Sequence, residues 1–325
     1  MDLLDLIRNQ INALPAGAHL PGLRSVLHHI ETAYKHFARG QSSGDESAFT
    51  DTIYRTNQAF EGSVKEAYRV LTDKDPAKMR PYDIEQYLEE QKVFRDRILG
   101  QFTNYRTEWR NPATHDYNLN FDEAEAFLAI VSVSAFTKLL VDEIAERLSY
   151  VAVQKDVATQ GGSKTANLIS SEPLIVQVTT ALLNFPKYYK DSRSSVPIES
   201  ESQLMGALAG FLTSVLPNSE TSTGRIIRGP KSLYVDMIIA AGDQRILVEL
   251  KRGDNPSLVE RGVEQLSVYL DAAEANHGVL FLYSEKSVEY DVTILKGPHP
   301  GTEIYVLRPA FNHKNPEPPK SKLTE

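Results

Sequence analysis

The sequence predicts an α+β protein of two domains, with an all-helical domain over residues 1–150 and an α/β domain over residues 196–310. Two observations support this fold class. Apolar residues recur at helical spacing in the first part, where strand-like alternation is nearly absent, whereas helices and strands alternate in the second. Residues 151–195 are predicted to form a linker and a connecting helix, and residues 311–325 a disordered tail.

The composition excludes several classes of protein. The chain has 325 residues, of which 41% are hydrophobic and 24% charged, as in soluble globular proteins. It contains no cysteine, so disulfides, thiolate zinc sites and cysteine nucleophiles are excluded. The net charge of −8 argues against a protein that coats nucleic acid, so any contact with phosphates must be local or must use metal ions. No apolar run approaches the roughly 20 residues of a membrane span, and no signal peptide is recognisable, which predicts a cytoplasmic protein without a membrane partner.

Two long helices are predicted on either side of a connection in the helical part. The first follows Pro81 and ends near Arg110, because Pro112 disfavours helical conformation at the residue before it. The second runs over about residues 122–149, and Asn120 with a glutamate three residues on is its predicted cap.

The clearest pattern in the second part is a predicted β-hairpin over residues 233–252. Two β-rich runs flank a two-residue turn that begins at Gly242, and glycine at this position suits a type II′ turn. This turn places Asp236 directly opposite Glu249, with Lys251 on the same face two residues farther on. The other face is wholly apolar and is predicted to pack on a core; it consists of Val235, Met237, Ile239, Ile246, Val248 and Leu250.

The two opposed carboxylates indicate a cation site. Like charges directly opposite each other destabilise a sheet unless a cation lies between them. Hard oxygen ligands at a half-built site suit Mg²⁺, which keeps waters and takes phosphate oxygens as further ligands. Such an ion activates water and stabilises charge on a phosphate, and Lys251 is placed to orient or deprotonate the water or to offset phosphate charge. The alternative is an ordinary hairpin whose charges face solvent.

Asp236, the Glu249-Leu250-Lys251 run and the order helix, three strands, helix, strand resemble the PD-(D/E)xK nuclease superfamily over residues 196–310. The resemblance implies the restriction-endonuclease-like fold with a central mixed sheet. It also implies that Mg²⁺ or Mn²⁺ is held by the two carboxylates and by the main-chain carbonyl of Leu250.

Two features of the flanking helices extend this resemblance. Gln265 and Tyr269 stand one helical turn apart and resemble the Gln-x-x-x-Tyr element of RecB-like and exonuclease members, which lines the site. Glu201 on the first helix matches the acidic residue that many members add to the metal site, with Glu199 as the competing candidate. The alternative interpretations are a tyrosine that packs the helix and glutamates that face solvent.

Arg110 and His115 form a second candidate site in the connection between the two long helices. A histidine acts as a general acid or base near neutral pH and an arginine holds a phosphate, so the pair would cleave RNA without a metal through the 2′-hydroxyl of the RNA. The alternative is a histidine hydrogen-bonded in a loop and an arginine that satisfies the carbonyls of a helix end. Residues 110–115, with residues 60–71 upstream, resemble the R-x4-6-H motif and a helix of HEPN domains.

The HEPN resemblance implies a helical bundle that forms a homodimer and a composite ribonuclease site. Together the two resemblances imply a metal-dependent endonuclease acting on DNA, joined to a helical domain that dimerises and is a candidate ribonuclease. Many HEPN proteins are toxins or abortive-infection effectors, which predicts a bacterial antiphage or toxin effector with an unidentified regulatory partner. Two alternatives stay open. The helical domain is a noncatalytic dimerisation or sensing module, or its ribonuclease is the main activity and the second domain only binds nucleic acid.

Overall fold

The computed structural model describes residues 3–115, 120–159, 172–192, 197–228, 232–253 and 255–310. The chain divides into two compact units, one formed by Met1–Ala152 with Val196–Ala207 and the other by Val153–Ser195 with Leu208–Glu325. The predicted α+β class is confirmed. The predicted disordered tail and residues 160–171 and 193–195 of the predicted linker lie outside the described residues.

The first unit is helical, and its apolar helix faces meet in one core. Phe60 lies at the centre of this core, with ring centroids 4.7 Å from Tyr105, 5.0 Å from Phe136 and 5.5 Å from Phe102. Aromatic packing of this kind dominates the energetics of protein cores. The helices are α1 (Leu3–Asn12), α2 (His19–Ser43), α3 (Ser47–Thr72), α4 (Pro81–Glu90), α5 (Asp96–Tyr105), α6 (Asn111–His115) and α7 (Glu123–Thr159).

The long helix predicted after Pro81 is in two pieces. Helix α4 ends at Glu90, and Lys92 takes a left-handed φ of 50°. The Val93 N–H then donates to the Leu88 carbonyl at 3.0 Å, which closes the helix end in a Schellman motif. Glycine usually occupies the left-handed position, so a lysine there gives no sequence signal for the break.

The predicted helix end near Arg110 is also wrong. Residues Arg106–Arg110 form a π-helical turn that continues into α6, and Asn111 is helical with φ −67° and ψ −47°. Proline lacks an N–H and clashes with the carbonyl four residues back in an α-helix. The wider π-turn, with hydrogen bonds five residues apart, relieves that conflict at Pro112.

Helix α7 begins about where predicted, but its cap and its end differ from the prediction. Its capping box is formed by Asp122 and Glu125 rather than by Asn120, with the Glu125 N–H donating to Asp122 at 2.8 Å and the Asp122 N–H to Glu125 at 2.9 Å. The helix continues to Thr159, through part of the predicted linker. Contrary to the expectation from the sequence, α7 is long and apolar enough to cross a membrane by length and composition alone. Half of its most apolar stretch is buried inside the protein.

The second unit contains a six-stranded mixed sheet in the order β1-β2-β3-β4-β6-β5. The pairs β3–β4 and β4–β6 are parallel, and the others are antiparallel. Helices α8 (Leu174–Asp191) and α9 (Glu201–Val215) precede β1 (Glu220–Arg228), β2 (Ser232–Ala241) and β3 (Gln244–Arg252), and α10 (Pro256–Ala273) precedes β4 (His277–Tyr283), β5 (Tyr290–Lys296) and β6 (Glu303–Pro309). The sequence did not predict edge strand β5, because most of its side chains are exposed and carry no burial pattern.

Helices cover both faces of the central strands. Helix α10 lies on the face that carries Leu280, where a Cβ added to Gly262 would lie 2.5 Å from that leucine. On the opposite face, Phe185 of α8 packs 5.9 Å from the ring of Tyr283. Helix α8, which the sequence assigned to a connecting segment, is therefore part of the second unit. The apolar hairpin face predicted to pack on a core is fully buried, from Val235 to Leu250.

Candidate functional site

The β2–β3 hairpin has the predicted register. Ala241 pairs with Gln244, and the pairing continues to Met237 with Val248. Gly242 has φ 56° and Asp243 has no positive φ, which matches a type II′ turn and excludes type I′. The ladder ends one residue before the predicted Asp236–Glu249 pair.

The sheet opens at Asp236. The β1 residue opposite it in register, Gly224, has a left-handed φ of 56°, a conformation that favours glycine. Beyond Met237, β2 pairs with β1 alone, whereas β3 continues alongside β4 as far as Arg252. Strands β2 and β3 therefore form a fork, by which we mean this opening with Asp236 at its base.

The Asp236 carboxylate takes the place of a strand partner at the fork. Its Oδ2 accepts a hydrogen bond from the Leu250 N–H at 2.8 Å. In an extended strand the N–H and the C=O of one residue point to the same edge, so the Leu250 carbonyl also faces the fork. The hydrogen bond thus brings a carboxylate and a main-chain carbonyl together.

Glu249 and Lys251 form a recessed ion pair on β3. Glu249 is only 2% exposed, and Lys251 Nζ lies 2.5 Å from its Oε1. A buried carboxylate requires such a charge-assisted partner, because removing one charge of a buried pair leaves the other uncompensated. The Lys251 side chain is 22% exposed, so the pair is reached from solvent through the lysine. In an ordinary surface hairpin Glu249 would face solvent, whereas here it is buried.

Helix α10 brings Gln265 and Tyr269 to the same cluster. The Gln265 Nε2 donates to the Tyr269 hydroxyl at 3.3 Å. Burial raises the pKa of Tyr269, and the negative charges of Glu249 and Asp236 raise it further, while Lys251 lowers it. The raised pKa keeps the phenol a neutral donor at pH 7.

The oxygen atoms at the fork are of the type that Mg²⁺ prefers. Two carboxylates, Asp236 and Glu249, and the carbonyl of Leu250 are all hard ligands. Among the described residues, no group of three His, Asp or Glu side chains could hold a metal alone. The donor set fits a half-built Mg²⁺ site that water and substrate oxygens complete, and it does not fit a closed protein cage.

The two candidate glutamates lie near the start of α9. Ser200 and Gln203 form its capping box, with the Gln203 N–H donating to Ser200 Oγ at 3.1 Å and the Ser200 N–H to Gln203 Oε1 at 2.9 Å. Glu199 and Glu201 are both exposed. They belong to the first compact unit, and a place for either at the metal site stays a prediction.

Arg110 does not lie in an open connection as predicted. Its Nη1 donates to the Asn111 side chain at 3.0 Å, and its guanidinium lies 3.8 Å from the carboxylates of Glu61 and of Glu85. The Arg110 side chain is 16% exposed. Burial raises the pKa of Glu85, and the charge of Arg110 partly offsets that rise. The arginine therefore compensates a buried acid.

The position of His115 also differs from the prediction. His115 is the last residue of helix α6 and does not lie in a loop. Its side chain lies outside the described residues, so the predicted Arg110–His115 pair stays a prediction.

The sequence did not reveal a partly buried ion cluster in the first unit. Arg95 contacts Glu143 at 3.0 Å and Glu146 at 2.5 Å. Burial raises the pKa of Glu143 to about 7. Two glutamates three residues apart in an apolar helix were the available signal, but only the packing of α7 shows that they are buried.

The structure joins the predicted site residues in contacting pairs, and the main-chain carbonyl of Leu250 faces the fork. The pairs are Asp236 with the Leu250 N–H, Glu249 with Lys251, and Gln265 with Tyr269 on helix α10. Comparisons of the chain with protein-family models, with curated proteins and with solved structures found no match.

Proposed function

We propose that the second unit is a Mg²⁺- or Mn²⁺-dependent nuclease that hydrolyses phosphodiester bonds of DNA at the fork. The observation that carries this proposal is the hydrogen bond from Leu250 to Asp236 beside the buried Glu249. It concentrates hard oxygen ligands at the one place where the β2–β3 ladder stops. A bound divalent ion would activate water and stabilise the charge that develops on the phosphate.

Each side chain at the fork has a role in this proposal. Asp236, Glu249 and the Leu250 carbonyl would hold the ion. Lys251 would orient or deprotonate the attacking water, or offset phosphate charge. Gln265 and Tyr269 would donate hydrogen bonds to a phosphate oxygen, because the raised pKa of Tyr269 keeps its hydroxyl protonated. The acidic net charge of −8 is compatible with this chemistry when the ion offsets the phosphate charge.

Nicking of supercoiled plasmid by the purified full-length chain tests the proposal. We expect cleavage with Mg²⁺ that EDTA abolishes, and a loss of about 100-fold or more in Glu249→Gln and Lys251→Met. Asp243→Asn, in the exposed hairpin turn, is the matched control and should cleave at the wild-type rate. Equal cleavage by all three variants would overturn the assignment.

A second proposal concerns the helical unit, which we propose to be a homodimerisation module. Phe127, Leu128 and Val131 of α7 are 50%, 52% and 39% exposed. Their spacing of three and four residues puts them on one side of the helix, and a contiguous exposed apolar patch indicates a protein interface.

The contacts of Arg110 favour the noncatalytic alternative for this unit. A phosphate would have to compete with the carboxylates of Glu61 and Glu85 for the guanidinium. RNA degradation that persists in EDTA and is lost in Arg110→Ala and His115→Ala would instead support the metal-free ribonuclease. If the plasmid also stays intact, the second unit would only bind nucleic acid.

The cellular role is proposed on the family resemblances alone. A cytoplasmic nuclease must be restrained, which supports a bacterial antiphage or toxin effector held by a regulatory partner. Expression in a bacterial host tests this role: wild-type protein should arrest growth or block phage infection, and Glu249→Gln should not.

A further inference from the structure

We propose that Tyr234 stacks on an unpaired base beside the reacting phosphodiester, so that the substrate of the fork is single-stranded or locally unpaired DNA. This inference rests on the proposed nuclease function. It names the class of substrate and one specificity residue that the site residues above do not include.

Tyr234 stands where a base beside the site would lie. It is two residues before Asp236 on β2, in the part of the strand that pairs only with β1, opposite Ile226. Two residues of a strand span about 7 Å. At that distance, a base next to a phosphate held near Asp236 lies within reach of the phenol ring.

The exposure of Tyr234 is unusual for its unit. Its side chain is 49% exposed although it belongs to an inner strand of the sheet. Over the described part of the second unit, the other large apolar side chains with comparable exposure are aliphatic, namely Val176, Val268, Val292 and Ile294. A solvent-facing aromatic ring is the platform on which proteins stack unpaired bases, whatever their sequence.

The charge of the chain points in the same direction. Duplex binding draws its affinity from lysines and arginines that neutralise phosphates. With a net charge of −8, this protein lacks a large excess of such residues. Stacking on an aromatic ring adds affinity without positive charge, which suits an acidic protein that contacts few phosphates.

The depth of the site also favours a single strand. Glu249 is 2% exposed and Tyr269 is 7% exposed, so these two groups of the site lie below the surface. One flexible strand can bend a phosphate into such a recess, whereas a paired strand must bring its partner along. An ordinary surface tyrosine is the competing interpretation, and it predicts no effect of Tyr234 on binding.

Fluorescence anisotropy with a labelled single-stranded oligonucleotide and with its blunt duplex tests the proposal. The full-length protein is used in EDTA, so that nothing is cleaved. We expect tighter binding of the single strand, a loss of about tenfold in Tyr234→Ala and Tyr234→Leu, and a change of no more than about twofold in Tyr234→Phe. Tyr82→Ala removes a tyrosine that is 63% exposed in the first unit and should change nothing.

The outcomes separate this inference from the proposed function. Equal affinity for the duplex, or wild-type affinity in Tyr234→Ala, overturns the stacking proposal even if Glu249-dependent cleavage is observed. Single-strand binding that depends on Tyr234 supports it, and the absence of Mg²⁺-dependent cleavage then overturns the nuclease assignment alone. Because Tyr234 is exposed, circular dichroism of the three variants should match the wild type.

Discussion

Removing the ammonium of Lys251 should destabilise the second unit through Glu249. In Lys251→Met, a carboxylate that is 2% exposed loses a partner at 2.5 Å, while the methionine keeps the apolar stem of the side chain. Breaking a buried pair in this way costs about 3–5 kcal/mol. Because the Lys251 side chain is 22% exposed, water partly replaces the ammonium and we expect the lower end, about 3 kcal/mol.

Hydrogen exchange of peptides from β3, followed by mass spectrometry, measures this cost locally, whereas global unfolding of a chain with two units need not be two-state. Lys251→Met should open β3 about 100-fold more often than the wild type, and the double variant Glu249→Gln/Lys251→Met should recover most of the loss. Mg²⁺ should protect Lys251→Met more than it protects the double variant. A double variant as unstable as the single one would refute the coupling.

Three further predictions concern the first unit. Burial lowers the pKa of His19 below its ordinary value of 6.5, so this neutral histidine favours folding above pH 6.5, and the stability is lost as the pH falls from there. Urea unfolding between pH 7 and 5 should show this slope, and His19→Gln should flatten it. A Cβ at Gly206 would collide with the main-chain carbonyl of Glu146, so Gly206→Ala should lower the melting temperature, whereas Gly100→Ala in open space should raise stability by about 0.5–1 kcal/mol. Phe127→Glu should turn a dimer into a monomer in light scattering, and a wild type that is already monomeric would rule out the proposed interface.

The register of the hairpin was predictable because one local feature fixes it. A glycine at the first turn position sets the pairing of both strands, and the alternation of side chains then assigns every residue to a face. The same logic located Asp236, Glu249 and Lys251 before any packing was known. Helix α10 was equally predictable, since its apolar spacing and the Asn255-Pro256 start are local signals.

The rest of the fold and site depended on contacts that are distant in sequence. At the fork, Gly224 on another strand takes a left-handed φ, which no local pattern indicates. The surroundings of Arg110 come from Glu61 on α3 and Glu85 on α4, which no local pattern connects to it. Strand β5 is held by main-chain pairing to β6 rather than by a buried face, so its side chains do not show the alternation that predicts a strand.

The type II′ turn also sets the positions of the two carboxylates relative to each other. Its pairs run from Ala241 with Gln244 to Met237 with Val248, which sets how far along each strand the carboxylates stand. Inserting one residue into either arm would carry one carboxylate to the opposite face of the sheet, and two residues would restore its face but offset it from its neighbour by a full pleat. A site that needs both carboxylates side by side on one face therefore fixes the length of both arms of the hairpin.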